Sequence, residues 1–288
     1  MANRRILVKR RKSIRNIRKI TRTMQLIATA RFQAAFNRAV ATRPYTEKLA
    51  ELVADLARAG EIRHPLLETH AAQAPAAVVV VTSSRGLCGG YNANILRSAQ
   101  ELLARLRAAG RPTEIHAFGK KAIAYFRFLR QPMAVQSTAI GDAPRFDDVL
   151  PVATQLVDEF LAGRISEVHV VHMRFFSAGK QRPEAFQLLP LAPAAVAGAA
   201  GPRVDYEFLP EPKQLLDELL PATVRARLFQ AFIDAAVSEQ IARMVAMKAA
   251  TEASEEMIKT LTRQYNRARQ TAITMELLDI VGGANALA

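Results

Sequence analysis

Apolar residues recur through the last third of the chain at the spacing of a helix seam. Ile258, Leu261, Tyr265, Ala268, Ala272 and Met275 follow one another at steps of 3, 4, 3, 4 and 3, the pattern of one face that meets a partner helix. Val237, Ile241 and Met244 keep the same steps further back, and Lys248 interrupts them. From Lys213 to Val281, 69 residues, only Pro221 could break a helix and no glycine occurs. Ala, Leu, Glu, Gln, Arg and Met supply helix propensity throughout. Such a helix would be roughly 100 Å long, far beyond what one compact domain uses. Its narrow seam predicts a partner helix and a left-handed twist.

Asn3–Ala59 predicts a second long helix. Ile17, Ile20, Met24, Ile27 and Arg31 step by 3, 4, 3 and 4 and are assigned to its seam. Ala28, Ala34 and Ala35 keep part of that side slim. Pro44 is expected to kink or loosen the helix without ending it, and Gly60 is a natural end signal. Pairing the two helices antiparallel leaves the C-terminal one longer by 69 − 57 = 12 residues, about 18 Å. That overhang carries Ile280, Val281 and Leu287, which no helix of this chain can cover.

Between the helices the period changes. After the connector 61–75, Ala76–Val81 is a short continuous apolar run, as in a strand buried on both faces. A helix follows from about Asn92 to Ala109, then a strand at Ile115–Phe118, a helix at Lys120–Leu129 and a short strand at Met133–Ser137. Phe146–Leu161 predicts a helix, opened by Asp147 and Asp148, whose charges suit its N-terminal dipole. Val168–Phe176 and Ala185–Leu191 predict an antiparallel hairpin around the polar loop Ser177–Pro183. Ala194–Pro202, rich in Ala, Gly and Pro, predicts a mobile loop. The fold class is therefore an α/β insert, Rossmann-like with a mostly parallel sheet, plus a long antiparallel two-helix coiled coil formed by the N- and C-terminal segments. The expected domains are the helix 1–60, the insert 76–192 and the helix 213–288.

Charge sharpens this picture by its position. Of the net +14, the first 46 residues hold thirteen Lys and Arg and no Asp or Glu, so the rest holds 14 − 13 = +1. A positive rod on a nearly neutral body suits a polyanion or an acidic protein surface. Nucleic-acid binding through phosphate contacts is one reading. Against it, Ile14, Ile17 and Ile20 sit between the charges, and no aromatic residue precedes Phe32. Docking on acidic protein is the other reading, and charge alone leaves both open. No run of 18 apolar residues predicts a membrane span. The opening lacks a secretory h-region, and the single Cys88 makes no internal disulfide, which suits a reducing compartment.

Candidate chemistry is sparse. Arg85–Gly90 lies between a strand and a helix, where phosphate loops lie. It lacks both the Gly-Lys-[Ser/Thr] ending and the GxGxxG spacing, so a tight turn with Ser83 or Asn92 as a helix cap is expected. His64, His70, His116, His169 and His172 show no repeated metal-ligand spacing, and His169 and His172 fall on opposite faces of a strand. Glu252, Glu255 and Glu256 predict a solvated helix face. Catalytic, metal and cofactor sites are all expected to be absent.

Three stretches resemble one known family. Arg18-Lys19-Ile20-Thr21-Arg22-Thr23-Met24 resembles the KITKAM stretch of the rotary ATP synthase gamma subunits. Ser84-Arg85-Gly86-Leu87-Cys88-Gly89-Gly90-Tyr91-Asn92 resembles their DRGLCGGFN. Met247–Thr251, Tyr265–Gln270, Ile273–Leu277 and Ile280–Ala284 resemble their C-terminal signature. Ser84 stands where Asp is usual, Met275 where Gln is usual and Leu209 where Glu is frequent. The resemblance implies a central-stalk rotor shaft without nucleotide chemistry of its own, turning inside a ring of three alpha and three beta subunits. It implies an epsilon subunit and a c-subunit ring at the foot, and a peripheral place on the cytoplasmic face of a bacterial inner membrane. By motif position, Met24, Arg243, Gln270, Thr274 and Glu276 would contact the beta subunits. Tyr206 and Glu207 would contact epsilon or the c-ring at the foot, and nucleic acid would not be a partner.

Overall fold

All six residues of β1 (Ala76–Val81) are buried, as an unbroken apolar run predicts for a strand covered on both faces. The structure is a computed structural model that describes residues 2–59, 64–68, 74–191 and 212–287. Alternate β1 side chains point to opposite sides. Ala77, Val79 and Val81 join α4 (Phe146–Leu161) and α5 (Pro212–Leu287) through Leu156, Phe160, Leu220 and Phe232. Ala76, Val78 and Val80 join α2 (Tyr91–Ala108) and α3 (Lys120–Phe128) through Ile95, Leu103 and Phe126. One strand thus seeds two cores, which makes the insert a three-layer sandwich.

The sheet has five strands in the order β3-β2-β1-β4-β5. The others are β2 (Thr113–Phe118), β3 (Val135–Ser137), β4 (Glu167–Ser177) and β5 (Lys180–Leu189). β1 pairs in parallel with β2 and β4, and β2 in parallel with β3. β4 and β5 form the antiparallel hairpin, but its loop is shorter than the polar stretch Ser177–Pro183 suggests. Ser177 already pairs with Lys180 and Met173 with Pro183, because polar residues on an edge strand can ladder while their side chains stay in water. At α4, the Arg145 N–H donates to Asp148 Oδ2 at 3.0 Å, so the acidic opening also satisfies a free backbone donor.

Where β2 ends, Gly119 adopts φ 92°, and a Cβ there would lie 2.2 Å from the Thr82 carbonyl oxygen. Thr82 Oγ1 donates to the Phe118 carbonyl at 3.1 Å and accepts from the Ala122 N–H at 2.9 Å. The end of β1 is thereby fastened to the first turn of α3, and only glycine leaves room for it.

The long helices have the predicted extents within a few residues. α1 (Ala2–Ala59) is 58 residues and runs through Pro44, and α5 is 76 residues and runs through Pro221. The chain divides into two compact units, residues 1–29 with 243–288 and residues 30–242. Both helices contribute to each unit. Within residues 30–242, Ala35 and Ala39 of α1 pack with Ile233, Val237 and Ile241 of α5 and Phe175 of β4. The stretch Ala194–Pro202 and the foot residues Tyr206, Glu207 and Leu209 lie outside the described residues.

In the other unit the helices run antiparallel. Going back along α1, Thr21 meets Thr251, Arg18 meets Glu255 and Arg11 meets Tyr265. Here the structure corrects the seam assigned to α1. Ile17, Ile20 and Ile27 are 44%, 59% and 49% exposed. The inner side carries Leu7, Arg11, Ile14, Arg18, Thr21 and Ala28, with Thr21 and Ala28 buried. Thr and Ala let the helices close up, and the heads of Arg11 and Arg18 reach Tyr265 and Glu255 of the partner helix. The expectation followed side-chain size, whereas close approach selects small residues. On α5, Leu261 is buried, Ile258, Tyr265, Ala268 and Ala272 are half-buried, and Met275 is exposed.

Candidate functional site

The glycine-rich loop after β1 is held by its own side chains. The Ser83 N–H donates to Asn92 Oδ1 at 3.0 Å, and Asn92 Nδ2 donates to Ser83 Oγ at 2.8 Å. Neither residue caps α2, whose N-cap is Gly90 with no side-chain bond; the pair braces the base of the loop instead. Leu87 and Gly89 take φ 64° and 57°, and this tight path buries Cys88 beside Asn92. Tyr91, also buried, donates its hydroxyl to the Ala235 carbonyl of α5 at 3.0 Å. The motif works as a bracket between sheet and helix.

Beside that loop, within residues 30–242, lies a cleft of about 750 Å³ lined by Arg31, Arg38, Ser84, Arg85, Lys120 and Asp142 among others. Asp142 accepts from Arg31 at 2.6 Å and lies 3.7 Å from Arg85. Four cations and one carboxylate line the cleft, and Asp142 pairs with only two of them, which leaves the cleft electropositive.

A family model described as ATP synthase matches residues 3–287. The ATP synthase gamma chain of Rhodopirellula baltica is 45% identical over 294 residues, covering 100% of this chain and 99% of that one. The chain belongs to the ATP synthase gamma-chain family. The gamma chain of Frankia casuarinae is 43% identical, covering 97% of this chain and 96% of its own. Among solved structures, the rotor of the Euglena gracilis mitochondrial ATP synthase in rotational state 1 has a TM-score of 0.65 at 18% identity, covering 94% of this chain and 99% of that one. The central stalk and c-ring of the Tetrahymena thermophila mitochondrial enzyme has a TM-score of 0.56 at 19% identity, covering 80% and 99%. At those identities the likeness is one of fold.

In this gamma-chain family member the outer side of α1 is a mixed stripe. Ile6, Ile17, Ile20 and Ile27 are exposed, and so are Arg4, Arg5, Arg10, Arg15, Lys19 and Arg22 around them. Arg11 and Arg18 are drawn inward, the first 4.9 Å over the Tyr265 ring and the second 3.7 Å from Glu255. Met24 is half-buried, and Gln270, Thr274 and Glu276 are exposed on α5. Arg243 is buried, 5% exposed. Toward the end of α5, Leu277, Leu278, Ile280 and Val281 are 55–68% exposed, and the side chain of Leu287 lies outside the described residues. Sequence reasoning missed the outward isoleucines. Their signal was the alternation of large apolar and cationic residues on a helix that already has a small-residue side.

Buried ionisable groups lie elsewhere in residues 30–242. Burial, with Arg174 nearby, lowers the His172 imidazole to about 3, and the ring stands edge-on to Phe186 at 5.5 Å. Burial, with Arg111 and Arg105, lowers His169 to about 4, and its Nε2 lies 2.7 Å from Glu167 Oε2. The two histidines have separate neighbours. Burial also raises the Asp234 carboxyl, against a hydrogen bond from Gln230.

Proposed function

We propose that this chain is the central-stalk rotor shaft of an F-type ATP synthase, coupling rotation of a c-subunit ring to conformational cycling of the beta subunits. The observation that carries the reading is the outward-turned stripe of α1. Its isoleucines remain exposed although the inner side of the helix is already packed, and such apolar surface calls for a partner. The surrounding cations select an acidic partner, and the acidic lever loops of a beta ring have that chemistry. The partners are three alpha and three beta subunits around the helices, with epsilon and the c-ring at the foot through Tyr206 and Glu207. Met24, Arg243, Gln270, Thr274 and Glu276 supply contacts to beta. Exposed Ile280 and Val281 turn in an apolar sleeve.

Nucleotide chemistry belongs to alpha and beta in this reading. The chain is peripheral on the cytoplasmic face of a bacterial inner membrane; no helix among the described residues is long and apolar enough to cross one. A duplex backbone would satisfy the cations of α1 and leave its isoleucines in water, so nucleic acid is the poorer partner. Co-expression with alpha and beta chains tests the proposal. Recovery of one copy of this chain with three of each supports it. Recovery of the chain alone, with salt-dependent retention on DNA, overturns it.

A further inference from the structure

β2 and α4 bring together three groups that are far apart in sequence. Glu114 and His116 lie two apart on β2 and so share a face, and Glu159 reaches them from α4. Their ligand atoms all lie within 4.8 Å of one another. His116 is 3% exposed, and its Nε2 is 2.9 Å from Glu114 Oε1. Glu159 is half-buried and accepts from Gln155 Nε2 at 2.9 Å, one turn earlier on α4. Among the described residues, Glu114 has an ion pair only with His116, and Glu159 has none. Two carboxylates and an imidazole thus converge without Lys or Arg, in a chain that carries 40 of them.

We propose that Glu114, His116 and Glu159 form a structural binding site for a first-row divalent cation such as Zn²⁺, tying β2 to α4. Two ligands at about 2.1 Å from one tetrahedral ion stand about 3.4 Å apart, so the 2.9 Å between Nε2 and Oε1 needs to open by only about 0.5 Å. Glu159 closes on the ion by a change of side-chain rotamer. Mixed imidazole and carboxylate donors suit Zn²⁺ better than Mg²⁺ or Ca²⁺, which take all-oxygen sets. Gln155 provides the outer hydrogen bond that fixes a ligating carboxylate. A cation also offsets the repulsion of two clustered carboxylates, and binding the folded state alone stabilises it by mass action. This inference is independent of the rotor function.

The test uses the full chain, stripped with chelator and titrated with Zn²⁺ near neutral pH by calorimetry, with Co²⁺ as a spectroscopic probe. Expected are one saturable site of roughly micromolar or better affinity, a raised melting temperature and visible Co²⁺ absorption. Glu159→Gln should weaken Zn²⁺ at least about tenfold, as should His116→Ala, while the exposed-site control Glu252→Gln leaves affinity unchanged. Should His116→Ala fail to fold, Glu159→Gln decides alone. No saturable binding below about 100 μM, or equal affinity in Glu159→Gln, overturns the site.

Discussion

Thr251 Oγ1 donates to Thr21 Oγ1 at 2.8 Å, joining two long helices through a pair of nearly buried hydroxyls. Thr21 in turn donates to the Arg18 carbonyl at 3.1 Å, so the polar pair is satisfied locally. Thr251→Val should cost about 1–2 kcal/mol, because Thr21 then keeps an acceptor without its donor. Replacing both by Val should recover part of that loss. A double-mutant cycle on urea unfolding checks it, and strictly additive losses would mean that the two hydroxyls are not coupled.

Ile20 and Leu261 separate folding from assembly. Ile20 is 59% exposed and Leu261 is 8% exposed. Ile20→Ser should change the stability of the isolated chain by less than about 0.5 kcal/mol, yet reduce recovery of alpha and beta. Leu261→Ala should cost about 2–4 kcal/mol by opening a cavity. Thermal unfolding and co-purification measure both. If Ile20→Ser proved the more destabilising, the seam described for α1 would be wrong.

Met24 tests coupling. Met24→Lys adds charge to a half-buried position of α1. In membranes carrying the assembled complex, ATP hydrolysis should persist while ATP-driven ion pumping and ATP synthesis fall. Unchanged pumping per ATP would remove Met24 from the proposed contact.

Gly119 should tolerate nothing larger. Gly119→Ala places a methyl 2.2 Å from the Thr82 carbonyl oxygen at φ 92°, combining backbone strain with a backbone clash. The expected loss exceeds about 2 kcal/mol, with β1 and α3 exchanging amide protons faster than in the parent. A variant with parent-like protection would show that the β2–α3 junction can shift.

The buried histidines set a slope in acid. His172 is lowered from 6.5 to about 3 and His169 to about 4. Below pH 6.5 the unfolded chain takes up these protons and the folded chain does not. Stability is therefore intact above pH 6.5 and falls as pH drops toward 4 and 3, by at most about 1.4 kcal/mol per pH unit for each group. Asp234, raised from 3.8, works in the opposite sense: its contribution falls as pH rises past 3.8. His172→Phe should flatten the loss between pH 6 and 4 in denaturant titrations; an unchanged slope would show that His172 titrates normally.

Much of the fold was legible in the chain. Ala76–Val81 could only be a strand covered on both sides, and the helices announced themselves by composition and by the absence of breakers. The α5 residues Ile258, Leu261 and Tyr265 stand out because one side of that stretch is apolar and the rest is not. α1 gives no such contrast, since isoleucines occupy one side and small residues another, and only packing shows which one closes on a partner. The polar pair Ser83 and Asn92 likewise reads as a cap in sequence and acts as a brace in space.

The sequence by itself determined the order of elements, the two long helices and the family, because periodicity, helix propensity and motifs are local and survive without coordinates. Tertiary structure alone decided which side of α1 faces α5, that Tyr91 reaches Ala235, and that Glu159 meets Glu114 and His116. Those outcomes depend on how closely two backbones can approach and on which residues a crossover brings together. Neither quantity is written in the spacing of residues along one chain.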